Sequence, residues 1–140
     1  MTLELHATPE DVMHAVEAVQ EYGQKMQLGE REIFALALAL EECASNIVNH
    51  AYRRDDRQVF RVSIEHTNNT LTLELRDYGP EFDPTRACLP EAAVDEDDRP
   101  PGGWGIHLVR HYMDEIVYRR DKDENVLRLT KRLLPPGSQK

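Results

Sequence analysis

The segment "RPPGGWGIHLV", residues 99–109, places two prolines and three glycines directly before an apolar stretch with helical periodicity. A glycine-rich loop that leads into a helix N-terminus presents unpaired N–H groups and the positive end of the helix dipole, and these bind anions. Gly102, Gly103 and Gly105 therefore predict a phosphate-binding site. Taken alone, the motif has an alternative, because paired glycines also serve as ordinary loop hinges.

Asp77 is a second candidate, because it ends an apolar strand pattern. Counted in steps of two, it follows Leu71, Leu73 and Leu75 on one face, so its carboxylate points toward the core where the strand ends. A buried carboxylate needs hydrogen-bond donors. Gly79 follows at once, which lets the chain turn and lets a flat ligand approach. The alternative is that Asp77 only caps the turn "DYGP".

A third pair of polar side chains interrupts the segment "EREIFALALALEECASNIVNHAYR". Glu42 and Asn46 are four residues apart, so a carboxylate and an amide project from one face of the predicted helix. The alternative is a solvated stripe on an amphipathic helix. That alternative is weakened by the apolar run from Leu36 to Leu40, which leaves little of this helix for solvent.

Three helices are predicted to position these groups. The first begins with Thr8 as N-cap, Pro9 at the first helical position and Asp11 reaching back as in a capping box. The second is apolar all round in its middle, as expected of a helix that is buried on most sides. Apolar residues at helical spacing predict helices over residues 9–27, 30 to about 53, and 103–113.

Alternating apolar and polar residues predict four strands. The first two form a hairpin whose turn is the pair "NN". Helices and paired strands in this order indicate an α+β layer architecture, and 140 residues are enough for one domain over residues 1–140. The predicted strands cover residues 58–66, 70–77, 115–120 and 125–133.

A long irregular segment separates the hairpin from the third helix. Residues 78–101 hold five of the eight prolines, an acidic cluster at Asp95 to Asp98 and no periodicity. Loops of this length inside a compact domain are uncommon and are often functional. The tail at residues 135–140 is predicted to be frayed.

Composition excludes several classes of function. The chain carries 26 acidic and 17 basic residues, a net charge of -9, which argues against direct binding to nucleic acid. It has neither a membrane-spanning apolar run nor a secretory signal, which predicts a cytoplasmic protein without a membrane partner. Cys43 and Cys88 form no CxxC pair, so both are interpreted as structural.

Taken in order, "EECASNIVNHAY", "LRDYGPEFDP" and "GGWGIHLVRHYMDEIVY" resemble the N, G1 and G2 boxes of the GHKL, or Bergerat-fold, ATP-binding domains. More narrowly, the chain resembles the stand-alone anti-sigma factor serine/threonine kinases of bacterial partner-switching systems. The resemblance spans roughly residues 30–133. It implies a two-layer α+β sandwich, in which a mostly antiparallel sheet is covered on one face by three helices and ATP lies between the layers.

The resemblance also implies roles for individual residues. Glu42 matches the catalytic carboxylate that acts as general base on a protein hydroxyl. Asn46 matches the asparagine that ligates Mg²⁺ through its amide oxygen. Asp77 matches the aspartate that accepts a hydrogen bond from the adenine amino group. Further nucleotide contacts are implied at Gly79, Gly102, Gly103, Gly105 and Ile106.

The sequence departs from the family pattern at two places. The usual G1 pattern DxGxGFDP is here "DYGPEFDP", with Pro80 and Glu81 at the variable positions. A Gly-Thr pair that often opens the last strand is replaced by Glu124 and Asn125. The resemblance also implies that residues 84–101 are the ATP lid.

The implied function is an ATP-dependent protein serine/threonine kinase that is also an anti-sigma factor. Its implied partners are a small anti-sigma factor antagonist (STAS-type), which it phosphorylates, and a sigma factor or other regulator; a homodimer is possible by analogy. An alternative is a non-catalytic ATP-sensing binding module. A histidine-kinase fragment fits less well, since His6, His14 and His50 lack the context of a phospho-accepting helix pair.

Overall fold

The computed structural model describes residues 1–86 and 103–133. Within those residues the chain forms three α-helices and five strands: β1 Thr2–His6, α1 Pro9–Lys25, α2 Glu30–Asn46, β2 Val59–Thr67, β3 Thr70–Asp77, α3 Gly103–Tyr112, β4 Glu115–Asp121 and β5 Glu124–Arg132. The strands make one antiparallel sheet in the order β1-β2-β3-β5-β4. The predicted α+β fold is confirmed.

One face of the sheet is buried under the helices. Along β3 the side chains alternate, so Leu71, Leu73, Leu75 and Asp77 all point into the core. Helices α1 and α2 pack against each other and against the sheet, and α3 packs against α2. The carboxylate of Asp77 therefore lies between the two layers, as its spacing predicts.

The other face of the sheet carries ion pairs. Arg76 contacts Glu74 at 2.7 Å and Glu124 at 2.9 Å, and Arg128 contacts Glu74 at 3.1 Å. Val126, which pairs with Arg76 in the ladder, is 1% exposed on this face. The long arginine side chains cover apolar surface here in place of a second helical layer.

The start of α1 follows its sequence signals with one correction. Thr8 is the N-cap and its Oγ1 accepts from the N–H of Asp11 at 3.1 Å, as predicted. The Asp11 carboxylate, however, accepts from the N–H of His6 at 2.8 Å, and the Thr8 N–H donates to the His6 carbonyl. The Asp11 carboxylate thus bonds to the backbone N–H two residues before the one that a capping box uses. This bond holds the end of β1 against the helix.

Strand β1 is absent from the sequence prediction. Its five residues contain two apolar side chains, Leu3 and Leu5, which is too short an alternation to stand out. It pairs with β2, so Leu5 lies opposite Phe60 and is buried. The four predicted strands are all present, and the turn between β2 and β3 uses Asn68 at a φ of 51°.

Helix α2 continues past Asn46 as a π-helical turn over Ile47–Ala51. The N–H of Tyr52 bonds to the carbonyl of Ile47 at 2.9 Å, which is the wider i to i−5 spacing. The predicted helix over residues 30 to about 53 therefore has nearly the right length but changes its winding. Such turns recur at functional sites because they reorient the residues that follow.

Tyr52, at the end of this turn, joins the helix layer to the sheet. Its hydroxyl donates to the carbonyl of Val59 at 2.7 Å and accepts from the N–H of Tyr78 at 2.7 Å. Burial is the main cause that raises the pKa of Tyr52 to about 12. The neutral hydroxyl thus fixes the end of β3 beside the start of β2.

Some predictions lie outside the described residues. The predicted lid over residues 84–101 is described only at Pro84–Arg86, a single 3-10 turn, and the tail at 135–140 and Cys88 are not described. Cys43 is buried and free, as a structural cysteine would be, and burial raises its pKa to about 12. No helix in residues 1–86 or 103–133 is long and apolar enough to cross a bilayer.

Candidate functional site

A small cavity lies between the two layers, where the π-helical turn meets the ends of β3 and β5. Its volume is about 40 Å³. Side chains from α2, the turn, both strands and the segment after β3 line it, including Asn46, Ala51, Asp77, Phe82, Asn125 and Leu127. Two of the predicted site residues, Asn46 and Asp77, thus share one cavity although they are 31 positions apart in the sequence.

The carboxylate of Asp77 has two donors within the protein. Its Oδ1 accepts from the N–H of Gly79 at 2.9 Å and from the amide of Asn125 at 3.0 Å. Burial raises the pKa of Asp77, and these two hydrogen bonds oppose that rise. Both contacts use Oδ1, which leaves Oδ2 as an acceptor at the cavity wall.

Asn125 is the residue that sequence reasoning missed. It is 5% exposed and lies directly opposite Asp77 in the β3–β5 ladder. Its amide donates to Asp77, to the carbonyl of Pro80 at 2.9 Å and to that of Gly79 at 3.4 Å. Its Oδ1 accepts from the N–H of Phe82 at 3.4 Å. One side chain therefore holds both the aspartate and the segment that follows it.

Two residues of β4 complete the contacts of Asn125. Its Oδ1 accepts from the hydroxyl of Tyr118 at 2.5 Å and from the guanidinium of Arg120 at 3.1 Å. Arg120 also donates to the carbonyl of Gly79 at 2.8 Å. The replacement of the family's Gly-Thr pair by Glu124 and Asn125 thus exchanges a hydroxyl for an amide with more hydrogen bonds.

A sequence signal for Asn125 exists. Asn125, Leu127 and Leu129 alternate along β5 just as Leu71 to Asp77 alternate along β3, and all lie on the buried face. Counting by twos therefore places a polar side chain inward at the start of β5. The absence of a charge is what made this position less conspicuous than Asp77.

Gly79 has no room for a side chain. A Cβ at this position would lie 2.8 Å from the Cβ of Ala51, 3.2 Å from the carbonyl oxygen of Ala51 and 3.0 Å from Oδ1 of Asp77. The glycine is required because the π-helical turn approaches the segment after β3 so closely. The predicted approach of a flat ligand to Gly79 stays a prediction, because the protein's own Ala51 and Asp77 fill the space beside this glycine.

We expect Gly79→Ala to lower nucleotide affinity and to destabilise the fold by about 1–3 kcal/mol, the usual range for overpacking. The added methyl group pushes Ala51 and the Asp77 carboxylate apart. Thermal unfolding and a titration with fluorescent ATP measure the two effects.

The double variant Gly79→Ala with Ala51→Gly is the control for this prediction. It removes the contact at 2.8 Å and leaves only the two longer ones. It should recover part of both losses. If the double variant is no better than Gly79→Ala alone, the contact with Ala51 is not the cause.

Glu42 and Asn46 lie one turn apart near the end of α2, as predicted. Both side chains are partly buried, and in the described part of the chain neither has a hydrogen-bond partner. Burial, and secondly the charge of Glu41, raise the pKa of Glu42. Asn46 lines the cavity and Glu42 does not. The helix therefore presents a free carboxylate beside the cavity and a free amide within it.

The predicted phosphate site is described only in part. Gly103 and Gly105 lie in the first turn of α3, so the glycines do lead into a helix N-terminus. Gly102 lies outside the described residues. Ile106 is 4% exposed and belongs to the hydrophobic core, and it is not among the residues that line the cavity.

Pro80 and Glu81 are exposed to solvent. Glu81 lies in an open groove beside Asp83, Arg119 and Arg120, outside the cavity. Its carboxylate therefore does not add negative charge to the cavity wall beside Asp77.

Comparison with known proteins agrees with this arrangement. A family model described as the histidine kinase-like ATPase domain matches residues 5–131. A curated relative, the serine/threonine-protein kinase BtrW of Bordetella bronchiseptica, is 32% identical over 134 residues, which is 96% of this chain and 94% of that protein. The chain belongs to the histidine kinase-like ATPase domain family. The predicted family is confirmed.

Other relatives of this histidine kinase-like ATPase domain are more distant. An anti-sigma F factor of Anoxybacillus flavithermus is 21% identical, over 73% of this chain and 70% of that protein. The solved RsbU and RsbW domains of Rv1364c from Mycobacterium tuberculosis superpose with a TM-score of 0.66 at 16% identity, over 95% of this chain and 31% of that one. A chain of the SiaB-SiaC complex from Pseudomonas aeruginosa superposes with a TM-score of 0.60 at 12% identity, over 94% of this chain and 88% of that one. These structures share the fold.

Membership of the histidine kinase-like ATPase domain family implies an ATP-binding site, and the residues present fit one. Asp77 keeps one oxygen at the cavity wall, and Asn46 lines the same cavity. A volume of about 40 Å³ is far below the roughly 300–1,000 Å³ of typical ligand sites. Nucleotide binding therefore requires the cavity to widen.

Proposed function

We propose that this chain is an ATP-dependent protein serine/threonine kinase and anti-sigma factor that phosphorylates an anti-sigma factor antagonist of the STAS type. The observation that supports this best is the half-buried carboxylate of Glu42, which has no hydrogen-bond partner within residues 1–86 and 103–133 and lies one helical turn from Asn46 in the cavity. A binding module has no need for a desolvated carboxylate at this place, whereas phosphoryl transfer needs a proton acceptor beside the bound nucleotide.

Residues in the cavity and at the start of α3 would together hold the nucleotide. In this proposal Oδ2 of Asp77 accepts from the adenine amino group, and Gly79 lies beneath the base. The N–H groups at Gly103 and Gly105, at the start of α3, would face the phosphates, and Gly102 is assigned to the same group by the sequence motif alone. The amide oxygen of Asn46 would hold Mg²⁺, which when bound neutralises phosphate charge.

Glu42 then acts on the partner protein. Its carboxylate accepts the proton of a serine or threonine hydroxyl while that oxygen forms the new bond to the γ-phosphorus, and the bond from this phosphorus to the ADP oxygen breaks. A raised pKa makes the carboxylate a stronger base once it is ionised.

Transfer of labelled phosphate tests the proposal. Antagonist domains encoded beside this chain are incubated with it and γ-labelled ATP in Mg²⁺, and the titration of Mg-ATP is run in parallel. Transfer to a serine or threonine of one of them supports the kinase. Tight ATP binding without transfer to any partner favours the alternative, an ATP-sensing binding module.

The pH dependence of transfer follows from the raised pKa of Glu42. The base works only when ionised, so the rate falls as the pH drops through a pKa above the ordinary 4.5. Glu41→Gln removes the second cause of the rise and should move this acid limb to lower pH, while burial keeps it above 4.5. The pH profile of kcat measures the shift.

Glu21→Gln, an exposed change of the same charge on α1, is the control for the pH profile. It should leave the acid limb in place. An acid limb that responds equally to both changes would mean that the titrating group is not Glu42.

A further inference from the structure

A second concave surface lies at the other end of α2, between its first turns and the last turn of α3. The groove has a volume of about 570 Å³ and is lined by Glu30, Arg31, Phe34, His111, Tyr112 and Lys131. We call it the α2–α3 groove. A volume of this size accommodates several side chains of a peptide segment.

The floor of the α2–α3 groove is aromatic and unusually exposed. The rings of Phe34 and Tyr112 meet edge to face with centroids 5.4 Å apart. Phe34 is nevertheless 55% exposed, and Leu108, one turn before Tyr112 on α3, is 45% exposed. Each of the two helices thus presents one large apolar side chain to solvent, Phe34 on α2 and Leu108 on α3.

The rim of the groove is cationic on a chain that is acidic. Arg31 is exposed and has no partner among the described residues, and Lys131 uses its ammonium group on the carbonyl of Tyr112 at 2.9 Å. Glu30 is the single acidic residue among the six that line the groove. Against a net charge of -9, this local excess of positive charge selects an acidic partner segment.

The groove is connected to the candidate active site by α2 itself. Phe34 precedes Glu42 by eight residues, which is about 12 Å along a helix. Helix α3 packs against α2, with its last turn at the groove and its first turn at Gly103. The groove therefore lies on the same helix as Glu42, within reach of a protein that places a hydroxyl beside that carboxylate.

We propose that the α2–α3 groove docks an acidic segment, with an apolar side chain at its centre, of the same partner protein whose hydroxyl is phosphorylated. The apolar side chain packs on Phe34 and Tyr112, and its flanking carboxylates pair with Arg31 and Lys131. This inference rests on the proposed kinase function for the identity of the partner. It assigns substrate selection to a surface outside the nucleotide site.

Charge reversal tests the docking site with the full chain. We expect Arg31→Glu to raise the KM for the antagonist domain and its Kd, measured in the presence of a non-hydrolysable ATP analogue, by about 10-fold or more. The kcat at saturating partner and the affinity for ATP should not change. Phe34→Ala should act in the same direction. A photo-crosslinking residue at position 34 should attach to an acidic segment of the partner.

Two exposed positions away from the groove serve as matched controls. Arg132→Glu makes the same charge change on the open face of the sheet, and Met13→Ala removes a side chain of α1 that is 46% exposed. Both should leave KM and Kd unchanged. If Arg31→Glu and Phe34→Ala do the same, the docking proposal is wrong while transfer by the wild-type chain still supports the kinase.

The remaining outcomes are also decisive. If partner binding weakens in the groove variants but the wild type transfers no phosphate, the docking proposal holds and the kinase proposal is wrong. If the wild-type chain binds no antagonist domain, the proposed occupant of the groove is wrong. Sedimentation of the chain alone completes the test, because self-association lost in Arg31→Glu would make the groove an interface between two copies and overturn the proposal.

Discussion

Replacing Glu42 by Gln should lower the rate of phosphoryl transfer to the partner protein by about 10²–10⁴-fold, the usual contribution of a general base. The amide has the shape of the carboxylate but cannot take the hydroxyl proton. No hydrogen bond is lost, since Glu42 has no partner among the described residues. Single-turnover transfer of labelled phosphate at saturating ATP and partner measures the effect.

Glu41→Gln is the matched control, because it makes the same change one residue earlier on an exposed side chain. It should retain most of the activity at neutral pH. Affinity for Mg-ATP should be equal in both variants and the wild type. Undiminished transfer by Glu42→Gln would show that another group accepts the proton, and the proposed mechanism would fail.

The second large effect is expected at Asn125. Asn125→Ala removes every hydrogen bond of the buried amide and leaves the Asp77 carboxylate, the N–H of Phe82 and the carbonyl of Pro80 without it. Unsatisfied buried groups cost about 1–3 kcal/mol each, although water can enter at the cavity, so we expect a loss of about 3 kcal/mol. That corresponds to a fall of roughly 10 °C in Tm for a domain of this size.

The same substitution should also weaken ATP binding, because Asp77 loses the contact that fixes its Oδ1. Asn69→Ala, an exposed asparagine in the turn between β2 and β3, is the control and should change neither property. Asn125→Thr, which restores the family's hydroxyl, should recover ATP affinity more than stability. If Asn125→Ala unfolds at the wild-type temperature, the amide does not hold this end of the sheet.

The sequence predicts the elements that have strong local patterns. Two examples are the N-cap at Thr8 and the turn between β2 and β3. Each is predicted by residue types that are strongly preferred at such positions. Strand β1 is not predicted because two apolar residues are too few to form an alternating pattern. Its position is set by its pairing with β2. The π-helical turn is not indicated by the helical periodicity, and it places Ala51 against Gly79, a residue that is distant in the sequence.

The candidate site likewise contains residues that the sequence predicts and residues that it does not. Asp77 follows from alternation on a single strand, and Glu42 with Asn46 follows from helical spacing, so local geometry is sufficient for each. The partners of Asp77 depend on which strand lies beside β3. Because β5 is that strand, Asn125 rather than a neighbour in sequence supplies the donor. Contacts across a sheet are therefore what the sequence alone leaves undetermined.

The hydroxyl of Tyr52 has a consequence for how the cavity widens. The amide of Tyr78, directly after Asp77, bonds to this helix-layer hydroxyl instead of to a neighbouring strand. Its hydrogen exchange with solvent therefore reports separation of the two layers, whereas the amides within β3 report opening of the sheet. A nucleotide that spreads the layers would speed hydrogen exchange at the amide of Tyr78 while the amides of β3 stay protected. Exchange at this one amide would therefore measure nucleotide entry into the site.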